Sequence, residues 1–196
     1  MKKVEIIGYK RANLGKAYAK QLRAEGNVPC VVYGGSEQVH FYVPMILFRD
    51  LVYTPNSHIV DVNIEGDVRT CILQDVQFHP VSEYILHADF LELHKDKPVK
   101  IEIPVRFVGN APGVVKGGKL VTKLRKVRVK GLPDNLPDFV DVDISNLDLG
   151  KAVKVKDIKI ENVEILNSPL VTVATIETPR ALRGVEEAAT EEAEQA

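Results

Sequence analysis

Apolar residues recur at every second position along much of this chain. In Lys97 to Phe107, "KPVKIEIPVRF", the residues Val99, Ile101, Ile103, Val105 and Phe107 fall on one face. Val140, Val142 and Ile144 alternate with Asp141 and Asp143, and Ile158 and Ile160 alternate with lysines. A period of two marks a half-buried strand, because successive side chains leave a strand on opposite faces. Gly66-Asp67, Asn110-Ala111-Pro112-Gly113 and Pro133-Asp134-Asn135 supply turn chemistry between the runs. The pattern predicts a mainly β protein of barrel or sandwich architecture. Helical signal is confined to two places. One lies between Gly15 and Gly26, and the other runs from Pro44 to Tyr53, where Pro44 suits a first helical turn. The charged "LHKDKP", Leu93 to Pro98, predicts a boundary between two domains, 1–95 and 96–180. The segment 181–196 is acidic and without apolar period, and is expected to be disordered.

Composition changes this picture little. A chain of 196 residues with 45% hydrophobic content supports a real core. The segment MKKVEIIGYK has no apolar stretch long enough for a signal peptide, and no later run approaches a membrane span, so a soluble cytoplasmic protein is expected. Cys30 and Cys71 each sit in an apolar run, which favours two buried reduced thiols over a disulfide.

Charge changes it more. The net charge is −1, so any polyanion binding must come from uneven placement. Such unevenness is present in "YKRANLGKAYAKQLRAEG", Tyr9 to Gly26, which holds Lys10, Arg11, Lys16, Lys20 and Arg23 against Glu25 alone. At 100° per residue, Lys16, Lys20 and Arg23 fall within about 60° of one another, and Leu14, Tyr18 and Leu22 form a stripe roughly opposite. The helix is expected to bury that stripe and present its cations. A solvated surface helix is the plain alternative, but such faces usually mix signs. Nucleic acid is the commonest partner of a one-signed basic patch.

Catalytic and metal chemistry find little support. His87 and Asp89 share a strand face, with His79 and His94 nearby in sequence, yet no nucleophile motif accompanies them and no Cys/His spacing matches a zinc site. "GVVKGGKL", Gly113 to Leu120, nearly spells a phosphate-binding loop, but Leu120 stands where the metal-binding hydroxyl belongs, and strand-like sequence follows. No cofactor is implied. A second basic run, Lys116 to Lys130, either touches RNA or a neighbouring protein, or pairs with the aspartates of Asp134 to Asp148, which is the favoured expectation.

Three ordered blocks carry a family resemblance over about residues 3–180. "LGKAYAKQLRAEGNVPCVVYGG", "LQDVQFHPVSEYILHADF" and the run containing "GNAPGVVKGGKL" and "VRVKGLPDNLPDFVDVDISNLDLG" resemble the bacterial 5S-rRNA-binding ribosomal protein L twenty-five family, in its long, general stress protein Ctc form. The resemblance implies a six-stranded-type β-barrel with a few short helices, a second β-sandwich or roll domain, and no catalysis. It implies a cytoplasmic, ribosome-bound monomer whose partners are loop E of 5S rRNA and other large-subunit components, with no membrane. Arg11, Lys16, Lys20 and Arg23 stand at the family's basic positions, and Tyr33 stands in its YGG turn. Gln74, His87 and Asp89 stand in the second block, where base donors and acceptors would be read. Ala17, Ala19 and Gln21 depart from the common pattern. The barrel also resembles the anticodon-binding barrel of glutaminyl-tRNA synthetase, so tRNA binding is the alternative.

Overall fold

The computed structural model describes residues 1–160 and 162–178; the expected disordered tail, 181–196, lies outside them. Two compact units result. One takes Met1–Ile101 with Lys130–Asp138, and the other takes Glu102–Val129 with the described residues from Phe139 onward.

The first unit is a closed barrel of β1 (Lys2–Lys10), β2 (Asn27–Tyr33), β3 (Val39–Pro44), β4 (His58–Ile64), β5 (Asp67–Phe78) and β6 (Ile85–Glu92), in the order β1-β3-β2-β6-β5-β4. Two pairings are parallel, β1 with β4 and β2 with β6. The inward set follows the period of two: Ile6; Val28, Cys30 and Val32; Phe41 and Val43; Val60, Val62 and Ile64; Ala88 and Phe90. Phe41 and Phe48 flank Phe90 at ring-centroid distances of 5.8 and 6.3 Å. Closure leaves no free edge, which removes the commonest route to edge-to-edge aggregation.

Both expected helices form, in altered shape. α1 spans Lys16–Ala24. The Pro44 to Tyr53 stretch divides into a 3-10 turn, Met45–Phe48, and a single α turn, α2 (Arg49–Val52), because Pro44 is spent as the last residue of β3. The turn between β4 and β5 falls one residue earlier than the Gly66-Asp67 signal, with Glu65 and Gly66 both at positive φ.

Two further sheets lie mostly in the second unit. β7 (Val99–Val108), β9 (Lys126–Gly131), β10 (Val140–Asp143) and β12 (Glu164–Ile165) form one in the order β10-β7-β9-β12; β8 (Lys119–Thr122), β11 (Ala152–Lys154) and β13 (Thr172–Glu177) form the other in the order β11-β13-β8. Phe107, Leu120, Val153 and Ile176, drawn from both sheets, pack with Ala111, Ile144 and Leu147. The "NAPG" stretch becomes a short helix, α3 (Pro112–Val115), and Pro133–Asn135 a 3-10 turn. Ile158 and Ile160 do not alternate along a strand. Val155–Asp157 is a 3-10 turn held by Asp157 accepting the Lys154 N–H at 3.0 Å, and regular pairing stops there.

Candidate nucleic-acid interface

α1 lies against β2, and the sequence shows why. Leu22 is buried, and Val31, which faces outward from the barrel, is also covered. Tyr18 is half-buried, with the Arg11 guanidinium 5.7 Å from its ring centroid. Leu14 does not join this stripe. Gly15 caps the helix in extended conformation, so Leu14 precedes the first turn and the wheel angle does not apply to it; it is 64% exposed.

The four expected cations separate into two kinds. Lys16 and Lys20 are exposed on α1. Lys16 opens the helix, where the dipole disfavours a cation and an anion would relieve the cost. Arg23 is anchored, its Nε donating to the Leu86 carbonyl of β6 at 2.9 Å. Arg11 is held by its backbone N–H to His40 O at 3.1 Å and by Nη2 to Asn13 O at 3.3 Å, and its Nε is buried without a partner.

Arg23 brings α1 to the β5–β6 pair, where the remaining expected residues gather. Asp75 stands opposite Asp89 and Gln77 opposite His87. Between Leu73 and Asp75 the register shifts, so Gln74 is an extra, exposed residue at a β-bulge. Such bulges re-aim side chains. Leu73 packs inward, Gln74 and Asp75 are both exposed, and Val76 returns to the core. Asp75 and Gln77 thus belong to the same polar surface, although sequence reasoning did not single them out.

Within this surface, His87 Nδ1–H donates to Asp89 Oδ1 at 2.6 Å. This contact leaves Asp89 Oδ2 as an acceptor and His87 Nε2 for an outside partner. Tyr33 closes β2 beside Leu91 of β6. Burial first, and then the carboxylates of Asp89 and Asp75, push its hydroxyl above its ordinary pKa, so it stays a donor at neutral pH. The turn after it requires glycine: Gly34 has φ +97°, and a Cβ there would come 2.6 Å from Leu91 Cδ1. His94 Nε2 fixes the same turn through Gly34 O at 2.9 Å. Donors, acceptors and an aromatic ring therefore lie on rigid strands, next to a helix with two outward cations.

The second basic run departs from its favoured expectation. Lys116 does reach that segment, at Asp148 with 3.0 Å, but Arg128 turns to Glu102 at 2.8 Å. Asp141 is held by Arg106, outside the run, through two contacts of 2.7 and 2.8 Å. The sheet β10-β7-β9 thereby carries a mixed-sign ladder of Asp141–Arg106 and Glu102–Arg128. Strand pairing decides these partners, because Asp141 stands directly opposite Arg106. Among the described residues, no group of three or more His, Cys, Asp or Glu side chains is placed to hold a metal ion, and no helix is long and apolar enough to cross a membrane.

Comparison with known proteins bears on the whole length. Residues 6–90 match the Ribosomal L25p family, and residues 98–180 match the ribosomal protein TL5, C-terminal domain. The Large ribosomal subunit protein bL25 of Amoebophilus asiaticus is 56% identical, over 93% of this chain and 93% of its own. The protein of the same name from Cytophaga hutchinsonii is 54% identical over 96% and 98%, and that from Phocaeicola vulgatus 42% identical over 94% and 96%. With both parts of the chain matched in order, and relatives this similar from end to end, the protein belongs to the ribosomal L25p family, in the form that carries a TL5-type C-terminal domain.

Proposed function

We propose that this protein is a structural, non-catalytic constituent of the large ribosomal subunit in the cytoplasm, and that it binds 5S rRNA at loop E as a monomer. The names of its relatives support membership of the large subunit. For 5S rRNA, the observation that carries the reading is the Arg23–Leu86 bond, which seats the exposed Lys16 and Lys20 beside the polar β5–β6 surface. Cations there would hold phosphates, which position a protein without specifying sequence. Gln74, Asp75, Gln77, His87 and Asp89 would supply donors and acceptors in a wide minor groove, where RNA exposes base edges and 2′-hydroxyls. A carboxylate is repelled by phosphate, so Asp89 and Asp75 fit an RNA site when they accept from base amino or imino groups.

A gel shift of the full chain with 5S rRNA, competed by tRNA, tests this. Binding that tRNA displaces poorly is the expected result. Equal competition by tRNA would move the reading to an anticodon-type barrel, and absence from large-subunit fractions on a sucrose gradient would refute membership.

A further inference from the structure

The β5–β6 hairpin ends in a tip, His79 to Tyr84, that the surface described above does not use. His79 N–H donates to Tyr84 O at 2.8 Å, and Glu83 N–H donates to His79 O at 2.9 Å. The His79 ring also folds into the turn, its Nδ1 accepting Val81 N–H at 3.3 Å and Ser82 N–H at 3.2 Å. Glu83 takes the left-handed φ of +57° that this turn demands. One histidine thus fixes the whole tip, yet the tip displays Val81 at 86% exposure and Tyr84 at 62%, with Phe78 at 45% at its base. A single exposed apolar side chain is ordinary on a protein surface; three gathered on a fixed turn mark an interaction site.

Charge narrows the partner's chemistry. From Thr70 to His94 there is no Lys or Arg, while Asp75, Glu83, Asp89 and Glu92 are acids. The tip therefore adds no cationic phosphate contact. An aromatic ring needs none, since every base has a π-face on which it can stack. The tip also joins the two strands that carry the polar surface, and begins one pair beyond Gln77 and His87. We infer that the tip is a stacking platform for an unpaired base of the bound RNA, with Tyr84 as its ring and Val81 and Phe78 as the surrounding apolar surface. This inference rests on the RNA-binding reading above. Because the His79 bonds exist before any partner arrives, binding spends little on ordering the turn.

The test uses the full chain and 5S rRNA, titrated at several salt concentrations. Tyr84→Ala is expected to weaken binding about 5- to 150-fold, the range of one base–aromatic stack. The slope of log K against log salt should not change, since no cation is removed. Tyr84→Phe should retain affinity. His79→Ala, which frees the turn without touching the ring, should weaken binding in the same direction. Chemical probing should find one unpaired nucleotide protected by the wild type and released by Tyr84→Ala. If wild type binds and Tyr84→Ala binds equally well, the platform is refuted; a loss confined to subunit incorporation would then assign the tip to a neighbouring protein. If wild type itself fails to bind 5S rRNA, the RNA reading falls and the platform with it.

Discussion

Replacing Lys16 and Lys20 by glutamine separates the role of α1 from its structure. Both side chains are exposed, and neither makes an ion pair or side-chain hydrogen bond among the described residues, so stability should be unchanged within about 0.5 kcal/mol. Arg23→Gln is different, because Arg23 Nε donates to Leu86 O at 2.9 Å. A charged donor to a carbonyl is worth about 1.5–3 kcal/mol when buried, and this exposed bond belongs at or below the lower end. Each phosphate neutralised contributes about 0.7–0.9 to the slope of log K on log salt. With Lys16, Lys20 and Arg23 all engaged, the slope is about −2.1 to −2.7, and affinity falls by about 1.3–1.6 decades between roughly 50 and 200 mM salt. Removing both lysines should leave a loss of only about 0.4–0.5 decade over that range. Filter binding to 5S rRNA at four salt concentrations, with thermal melts of each variant, measures both quantities. A double variant that binds more weakly at every salt concentration but keeps the wild-type slope would refute phosphate gripping by this helix. A double variant that melts well below wild type would show that the lysines are structural.

Three further outcomes are expected. Asp75 and Asp89 face each other across β5 and β6, and like charges so placed are destabilising; Asp75→Asn should raise stability by about 0.2–1 kcal/mol while weakening RNA binding, and a loss of stability on denaturant titration would contradict this. The His58 pKa is lowered, by burial first and then by Lys2, and its Nδ1 is buried without a partner. Its unfolded state therefore binds a proton more readily, and stability is lost as pH falls below about 6.5; denaturation midpoints between pH 7 and 5 should fall less steeply for His58→Leu, and parallel curves would refute the assignment. Burial pushes the Cys30 thiol well above its ordinary pKa, with Asp89 adding to it, and pushes Cys71 up to about 12. Thiolate is the reactive form, so at pH 8 iodoacetamide should label neither cysteine in the native protein and both in denaturant; native labelling at free-thiol rates would refute their burial.

The barrel was legible because its strands obey a strict alternation, as in Val60, Val62 and Ile64. Where two rules competed, the pattern misled. Period two, carried through "LQDVQF", puts Asp75 in phase with the inward Leu73, and only the bulge at Gln74 turns it outward. A bulge depends on pairing with β6, which lies beyond any local window. Leu14 fits the apolar stripe of a helix that starts two residues too late to include it. The partners of the second basic run were hidden for a similar reason, since Asp141 meets Arg106 through the parallel pairing of β10 with β7, across more than thirty residues. Helix periodicity singled out Lys16 and Lys20, and only the family resemblance joined them to His87 and Asp89; that α1 is tied to β6 through Arg23 had no signal in the sequence.

The division of the chain into two units sets an order on its synthesis. The first unit includes Lys130–Asp138, although its six strands all lie before Ile101. A nascent chain can therefore close its barrel and still lack a part of the same unit until residues 102–138 have been added, roughly 2–7 s later at ~5–20 residues per second. For that interval Asp138, one of the charges acting on His58, is missing. The second unit cannot finish first, because Val140, which pairs with Val105, is made after Asp138. Synthesis therefore supplies the parts in one order: the six barrel strands, then the 130–138 segment that completes the first unit, and then β10. The barrel strands are thus complete before β10 exists.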